Sequence, residues 1–283
     1  MTVTNAELAA LETTHDIISL GIAADEVRRS IHGTRATYVR VVEVAAEPGA
    51  PITVPPAAGE VRIAGTPANG AAAVARVTEV LAAAGGTPVS AYSLDDLEAL
   101  AAAEKVTLRL LLENLRQAGL EVLAEAPFDR LREPRLAIEE VNIAGLRLAR
   151  LTVHKLPSAE VPVLYRQIAA LQYDVGVVLA FAPLPRVVNP AVPTTGYDDV
   201  RRVALARLLV SNVESIQVDW ALYGPKLAQV ALTVGADDLD AVSPLDDLSE
   251  GRRRAPLEEV RRNITAAGLE PVERDGRFDA RIR

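Results

Sequence analysis

Two hydrophobic rhythms alternate along the chain. Short β-branched or apolar runs occupy Thr37–Val44, Glu60–Ala64, Thr87–Tyr92, Glu121–Ala124, Leu148–His154, Val177–Ala182, Ser215–Trp220 and Asp237–Val242. Runs of this length and composition predict strands. Between them the apolar residues recur every three to four positions, the spacing of one helix face. Leu108, Leu111, Leu112 and Leu115 make one such stripe, between a capping Thr107 and a stopping Gly119. Further helices are predicted over Asn5–His32, Asn69–Ala84, Ile138–Leu146, Val161–Tyr173, Gly196–Asn212 and Pro256–Ala267. Ser93 stands as an N-cap before Asp95 and Asp96. Pro225 opens a helix whose stripe is Leu227, Val230, Ala231 and Val234.

Eight strands alternating with helices suit an α/β (β/α)8 TIM-type barrel. The division read from this pattern is a helical lead-in over residues 1–36, a barrel over 37–267 and a short C-terminal extension over 268–283. A doubly wound open sheet is the competing architecture. Neither its G-x-G-x-x-G loop nor a Walker loop is present.

Composition narrows the chemistry. The 283 residues carry 30 Lys and Arg against 38 Asp and Glu, a formal net charge of −8. That balance argues against a nucleic-acid or anionic-membrane partner. No apolar run reaches the length of a membrane span, and acids are scattered through the first thirty residues. No membrane association and a cytoplasmic location are therefore expected. Cysteine is absent. This removes disulfides, cysteine-held zinc, cysteine nucleophiles and thiolate-held iron–sulfur clusters together.

Several phrases look familiar. Gly224-Pro225-Lys226-Leu227-Ala228-Gln229 followed by Gly235-Ala236-Asp237-Asp238-Leu239-Asp240 resembles the end of a known barrel. So do Leu257-Glu258-Glu259-Val260, Pro271-Val272-Glu273-Arg274-Asp275, Thr195-Gly196-Tyr197 and, at the front, Ala24-Asp25-Glu26-Val27-Arg28. The chain is similar to the radical S-adenosylmethionine group that includes aminofutalosine synthase, dehypoxanthine futalosine cyclase and the deazaflavin-forming synthase. The resemblance implies a barrel and an ancestry shared with menaquinone enzymes of the futalosine route. In that group the loop after strand one carries C-x-x-x-C-x-x-C, whose thiolates hold a four-iron cluster that cleaves S-adenosylmethionine. Here the loop reads Ala45-Ala46-Glu47-Pro48-Gly49-Ala50-Pro51-Ile52. The segment after strand five, Val153-His154-Lys155-Leu156, is altered as well, and the loops look trimmed. The departure implies no iron–sulfur cluster, no dependable S-adenosylmethionine binding and loss of the radical reaction. A metabolite binder or a partner of a catalytic homologue is expected; the alternative is a repurposed enzyme using acid–base groups at the barrel mouth.

Candidate residues follow from strand position. His154 ends the fifth strand, on the face where barrels do chemistry, and reads as a general base, a ligand group or a satisfied rim residue. Gln217 and Asp219 share one face of the seventh strand. They read as a ligand-binding pair or as internally bonded polar groups. Asp219 and His154 are the acid–base candidates. Lys226, beside a helix start, is a possible anion contact or a solvent-facing lysine. Asp237, Asp238 and Asp240 read as a solvated rim or cap, or as magnesium ligands. His32 reads as a helix-end cation. Arg252, Arg253 and Arg254 read as a solvated loop.

Overall fold

The computed structural model describes residues 10–155, 160–187, 195–246 and 256–281. In chain order it contains α1 (Ile17–His32), β1 (Arg35–Ala45), β2 (Glu60–Ala64), α2 (Gly70–Ala83), β3 (Val89–Ser93), α3 (Leu94–Glu104), α4 (Leu108–Gln117), β4 (Val122–Pro127), α5 (Pro134–Ile143), β5 (Arg147–Val153), α6 (Val161–Val175), β6 (Val178–Pro185), α7 (Gly196–Leu209), β7 (Ser215–Asp219), α8 (Trp220–Leu232), β8 (Asp238–Val242), α9 (Pro256–Ala266) and β9 (Glu270–Glu273).

Strands β1 to β8 pair in parallel, each with its sequence neighbour, and β8 returns to β1. The ring is closed: a (β/α)8 TIM-type barrel, as the alternation predicts. Closure removes every free sheet edge, and the helices cover the outer face.

The C-terminal segment departs from expectation, because it contributes a ninth strand. β1 is 11 residues long. Its second half, Val41–Ala45, pairs with β2, while its first half, Arg35–Tyr38, pairs in parallel with β9. Since β8 occupies the other edge of β1 at Thr37–Arg40, β9 fills the gap beneath β2. The Gly276 amide then donates to the Gly59 carbonyl at 3.0 Å, sealing the seam.

Local chemistry moves several boundaries. The predicted N-terminal helix is interrupted: residues 10–13 are helical and 14–16 are not, and the Asp16 carboxylate restarts it at Ile17 by capping the amides of Ile18 and Ser19; residues 5–9 lie outside the described residues. β3 begins at Val89 because Gly85 and Gly86 turn with positive φ and the Thr87 amide bonds back to Ala84. α5 starts earlier than its stripe suggests, on Pro134 in the first turn. β6 runs on through Pro185, past the point where proline predicts a loop. Thr195 and Asp198 form a capping box for α7. Ser93 precedes α3 as expected, but its hydroxyl donates to Asp95 instead of capping the helix. Arg252, Arg253 and Arg254 fall outside the described residues.

The apolar core lies between the strands and the helices. Val61, Ile63, Leu151, Phe181, Ile216, Val218 and Leu239 are fully buried against helical residues such as Val77, Leu112, Ile138 and Ile168. Tyr165 meets Phe181 edge-on at 5.1 Å between ring centres. No helix among the described residues is long and apolar enough to cross a membrane.

Candidate functional site

Inside the ring the side chains are charged. β2 reads Glu60-Val61-Arg62-Ile63: Val61 and Ile63 join the apolar core, while Glu60 and Arg62 take the opposite face, toward the lumen. The same alternation puts Asp238 and Asp240 of β8, and Gln217 and Asp219 of β7, on one face each.

Asp240 is the hub. One carboxylate oxygen accepts from Arg62 Nη2 at 2.9 Å, the other from Arg150 Nη1 of β5 at 2.7 Å. These strands lie on different sides of the ring, so the two arginines reach across the lumen. Arg62 also binds Glu60 at 2.9 Å, and Ser90 of β3 donates to the same Glu60 oxygen. Arg150 reaches Glu125 of β4 at 3.3 Å. Toward the mouth, Arg186 pairs with Asp219 and lies 3.7 Å from Glu125.

The titration of these groups follows from this arrangement. Burial pushes Asp240 up, but Arg62 and Arg150 pull its carboxyl far below the usual range. Glu125 is likewise opposed by burial and lowered on balance by Arg150, Arg186 and Arg62. Burial disfavours the charged form of Arg62, yet Asp240 and Glu60 raise it well above its ordinary value. All three are therefore ionised at neutral pH.

A second tier sits nearer the N-terminal ends of the strands. Arg274 grips Asp238 with two bonds, at 2.6 and 2.7 Å, and Gln217 and Thr37 donate to the same carboxylate. Asp237 points outward instead. It pairs with Arg207 of α7, accepts from the Ile216 amide at 2.7 Å and lies 3.4 Å from His32 Nε2. The acidic cluster is thus no solvated rim. Asp237, Asp238 and Asp240 are at most 2% exposed, and each meets an arginine. Among the described residues no group of three His, Asp or Glu side chains is placed to hold a metal ion. His32 does end α1, with Nε2 2.9 Å from the Glu214 carbonyl.

The four predicted ligand residues do not converge. Gln217 is buried against Asp238. Asp219 caps α8 through the Leu222 amide and gives its other oxygen to Arg186. His154 follows β5 at the mouth, where its backbone amide, like that of Lys155, donates to Asp129 at 2.6 Å. No hydrogen bond or ion pair joins His154 to Asp219 among the described residues. Lys226 is exposed on α8. One turn, residues 220–223, precedes Gly224, whose φ of 72° and ψ of 171° break the helix, and Pro225 opens the second segment as its position predicts. The principal lumen residues, Arg62, Glu125, Arg150 and Arg186, escaped the sequence reading. Their signal was the polar–apolar alternation already noted at Gln217 and Asp219, which recurs in β2 and β8. Thr152, two residues beyond Arg150, is fully buried with a hydroxyl that has no hydrogen-bond partner among the described residues.

The loop after β1 is clamped from below. Arg76 of α2 is fully buried; its Nε donates to the Ala45 carbonyl at 2.7 Å and its Nη1 to the Ala50 carbonyl at 2.9 Å. Glu79 accepts from the Gly49 amide at 2.9 Å and from Arg76. Two carbonyls and one amide of the loop are thereby fixed to the helix.

Comparison with known proteins places this geometry in context. Residues 182–282 match the family model described as the CofH/MqnC C-terminal region. Aminodeoxyfutalosine synthase of Thermus thermophilus is 28% identical over 225 residues, covering 68% of this chain and 60% of that protein. The 5-amino-6-(D-ribitylamino)uracil–L-tyrosine 4-hydroxyphenyl transferase of Archaeoglobus fulgidus is 34% identical over 121 residues, 38% of this chain and 35% of that one. The chain therefore spans less than two thirds of the length of these relatives. Among solved structures, methylornithine synthase (PylB) superposes with a TM-score of 0.68 at 13% identity, covering 96% of this chain and 94% of that one. The hydrogenase maturase HydG of Carboxydothermus hydrogenoformans gives 0.65 at 11% identity, covering 94% and 75%. Both share the fold.

The iron–sulfur cluster implied by the resemblance does not fit the residues present. The segment Ala45–Ile52 offers no thiolate or imidazole, its one carboxylate is the exposed Glu47, and Arg76 already engages its backbone.

Proposed function

From the premise that this chain is a homologue of aminodeoxyfutalosine synthase carrying the CofH/MqnC C-terminal region, we propose that it is a cluster-free, non-radical barrel. Its role is to bind a small polar metabolite at the barrel mouth in menaquinone or related cofactor biosynthesis. The observation that carries this reading is the Arg76 clamp on the loop after β1, where the resemblance calls for cluster ligands. A loop held by buried charge-assisted bonds cannot rearrange around iron without breaking them. The charges at the mouth support recognition of a polar ligand: Arg186, Glu125 and Asp219 remain partly exposed.

The test is anaerobic reconstitution with iron and sulfide, followed by S-adenosylmethionine and a strong reductant. Substoichiometric iron and no 5′-deoxyadenosine are expected. One cluster per chain together with 5′-deoxyadenosine release overturns the proposal. Native mass spectrometry of protein from its own host supplies the positive arm. A retained small molecule supports metabolite binding, whereas a stable complex with a cysteine-bearing homologue replaces it with a partner role.

The alternative is a repurposed acid–base enzyme, and His154 at the mouth is the feature that favours it. It requires turnover that falls in His154→Ala or Asp219→Ala. The two oxygens of Asp219, already engaged by Leu222 and Arg186, count against it.

A further inference from the structure

A separate cavity of about 340 Å³ opens at the opposite, N-terminal end of the barrel. The segment after β9 walls one side of it, held by Arg274 stacked 3.7 Å over the Phe278 ring. Ser215 and Thr37 line its inner wall, and Arg35 and Arg147 stand at its edge.

Three of these groups are unspent. Ser215 is only 7% exposed, lies on the lumen face of β7 with Gln217, and its hydroxyl makes no hydrogen bond among the described residues. Arg35 begins β1 and Arg147 begins β5. Neither side chain makes a hydrogen bond or ion pair among the described residues. This contrasts with Arg62, Arg150, Arg207 and Arg274, each of which is committed to a buried carboxylate. The inner carboxylates are committed too: Asp238 to Arg274, Gln217 and Thr37, and Asp237 to Arg207 and the Ile216 amide. Glu214 and Asp279 carry the remaining negative charge, on exposed positions of the rim.

We propose that this cavity binds a small multivalent oxyanion, a phosphoryl or dicarboxylate group, with Arg35 and Arg147 supplying charge and Ser215 a hydroxyl donor. Guanidinium forks match such groups in geometry and charge. A buried hydroxyl facing a cavity gains the bond it lacks when an acceptor enters. The site lies at the far end of the barrel from the mouth and does not depend on the function proposed above.

The full-length chain, titrated with pyrophosphate and separately with citrate at constant ionic strength, tests it by calorimetry and thermal shift. Saturable binding of at least one is expected, and the preferred anion identifies phosphoryl or carboxylate as the source. The exposed double variant R35Q/R147Q should weaken binding about tenfold or more, and S215A about fivefold, with ligand-free melting unchanged in the double variant. R109Q, in the remote Arg109–Glu140 surface pair, should bind as the parent does. No saturable binding of either anion, or undiminished binding by R35Q/R147Q, overturns the proposal.

Discussion

Removing the charge of Asp240 by Asp240→Asn strikes the centre of the lumen network with little change in shape. The carboxylate is 1% exposed and bridges Arg62 at 2.9 Å and Arg150 at 2.7 Å. Deleting one partner of a buried ion pair costs about 3–5 kcal/mol, because the other charge is left uncompensated in a dry site. Here each arginine keeps a second carboxylate, Glu60 at 2.9 Å and Glu125 at 3.3 Å. The lower end, about 3 kcal/mol, is therefore expected. For a chain of this size that lowers the melting midpoint by roughly 6–12 °C. Thermal and urea unfolding, followed by circular dichroism, measure the loss.

The pH dependence has a definite sign. Asp240 titrates below its ordinary value of 3.8 in the folded chain. The stability it adds is thus full above that value and is lost as pH falls below it. The gap between parent and D240N should be flat from about pH 5 to 8 and should shrink on acidification below about pH 4. Replacing Arg62, Arg150 and Asp240 together by apolar residues of similar volume should not restore the loss, since it strips buried Glu60 of its arginine and Glu125 of one of its two. A loss under about 1 kcal/mol for D240N at neutral pH would show that water screens the lumen as it screens a surface pair, and the reasoning would fail.

Two other substitutions probe the frame around the site. Gly235→Ala should cost about 2–4 kcal/mol: φ is +114°, and an added Cβ would sit 2.8 Å from Arg207 Cβ and 3.1 Å from Ala24 Cβ. An unchanged denaturation midpoint contradicts this. Arg76→Met removes the donors to Ala45 and Ala50. Amide exchange at Gly49 and along residues 46–52 should then accelerate while the far-ultraviolet spectrum stays that of the parent. Parent-like protection across the loop would show that Arg76 is no clamp.

The order and kind of the elements could be read from residues alone, because each rests on short-range periodicity. Thr107 caps α4 and Leu111, Leu112 and Leu115 bury its inner face, as their spacing demands. Gly235 and Gly119 take positive φ where helices stop. The missing thiolates are likewise plain in the composition. The ninth strand was hidden, because β9 is four residues long and acquires its identity from the edge of β1 that β2 leaves free, more than two hundred positions away. The lumen was hidden for a related reason. Arg62, Arg150 and Asp240 stand 88 and 90 positions apart along the chain, and each alone reads as an ordinary charged residue. Closing the ring turns their strand faces inward and takes them out of water, and burial then makes their mutual pairing obligatory. The acidic run Asp237–Asp240 reversed its meaning in the same step: a solvent-exposed edge by local pattern, it becomes the buried anionic side of the barrel once β8 is flanked by β7 and β1.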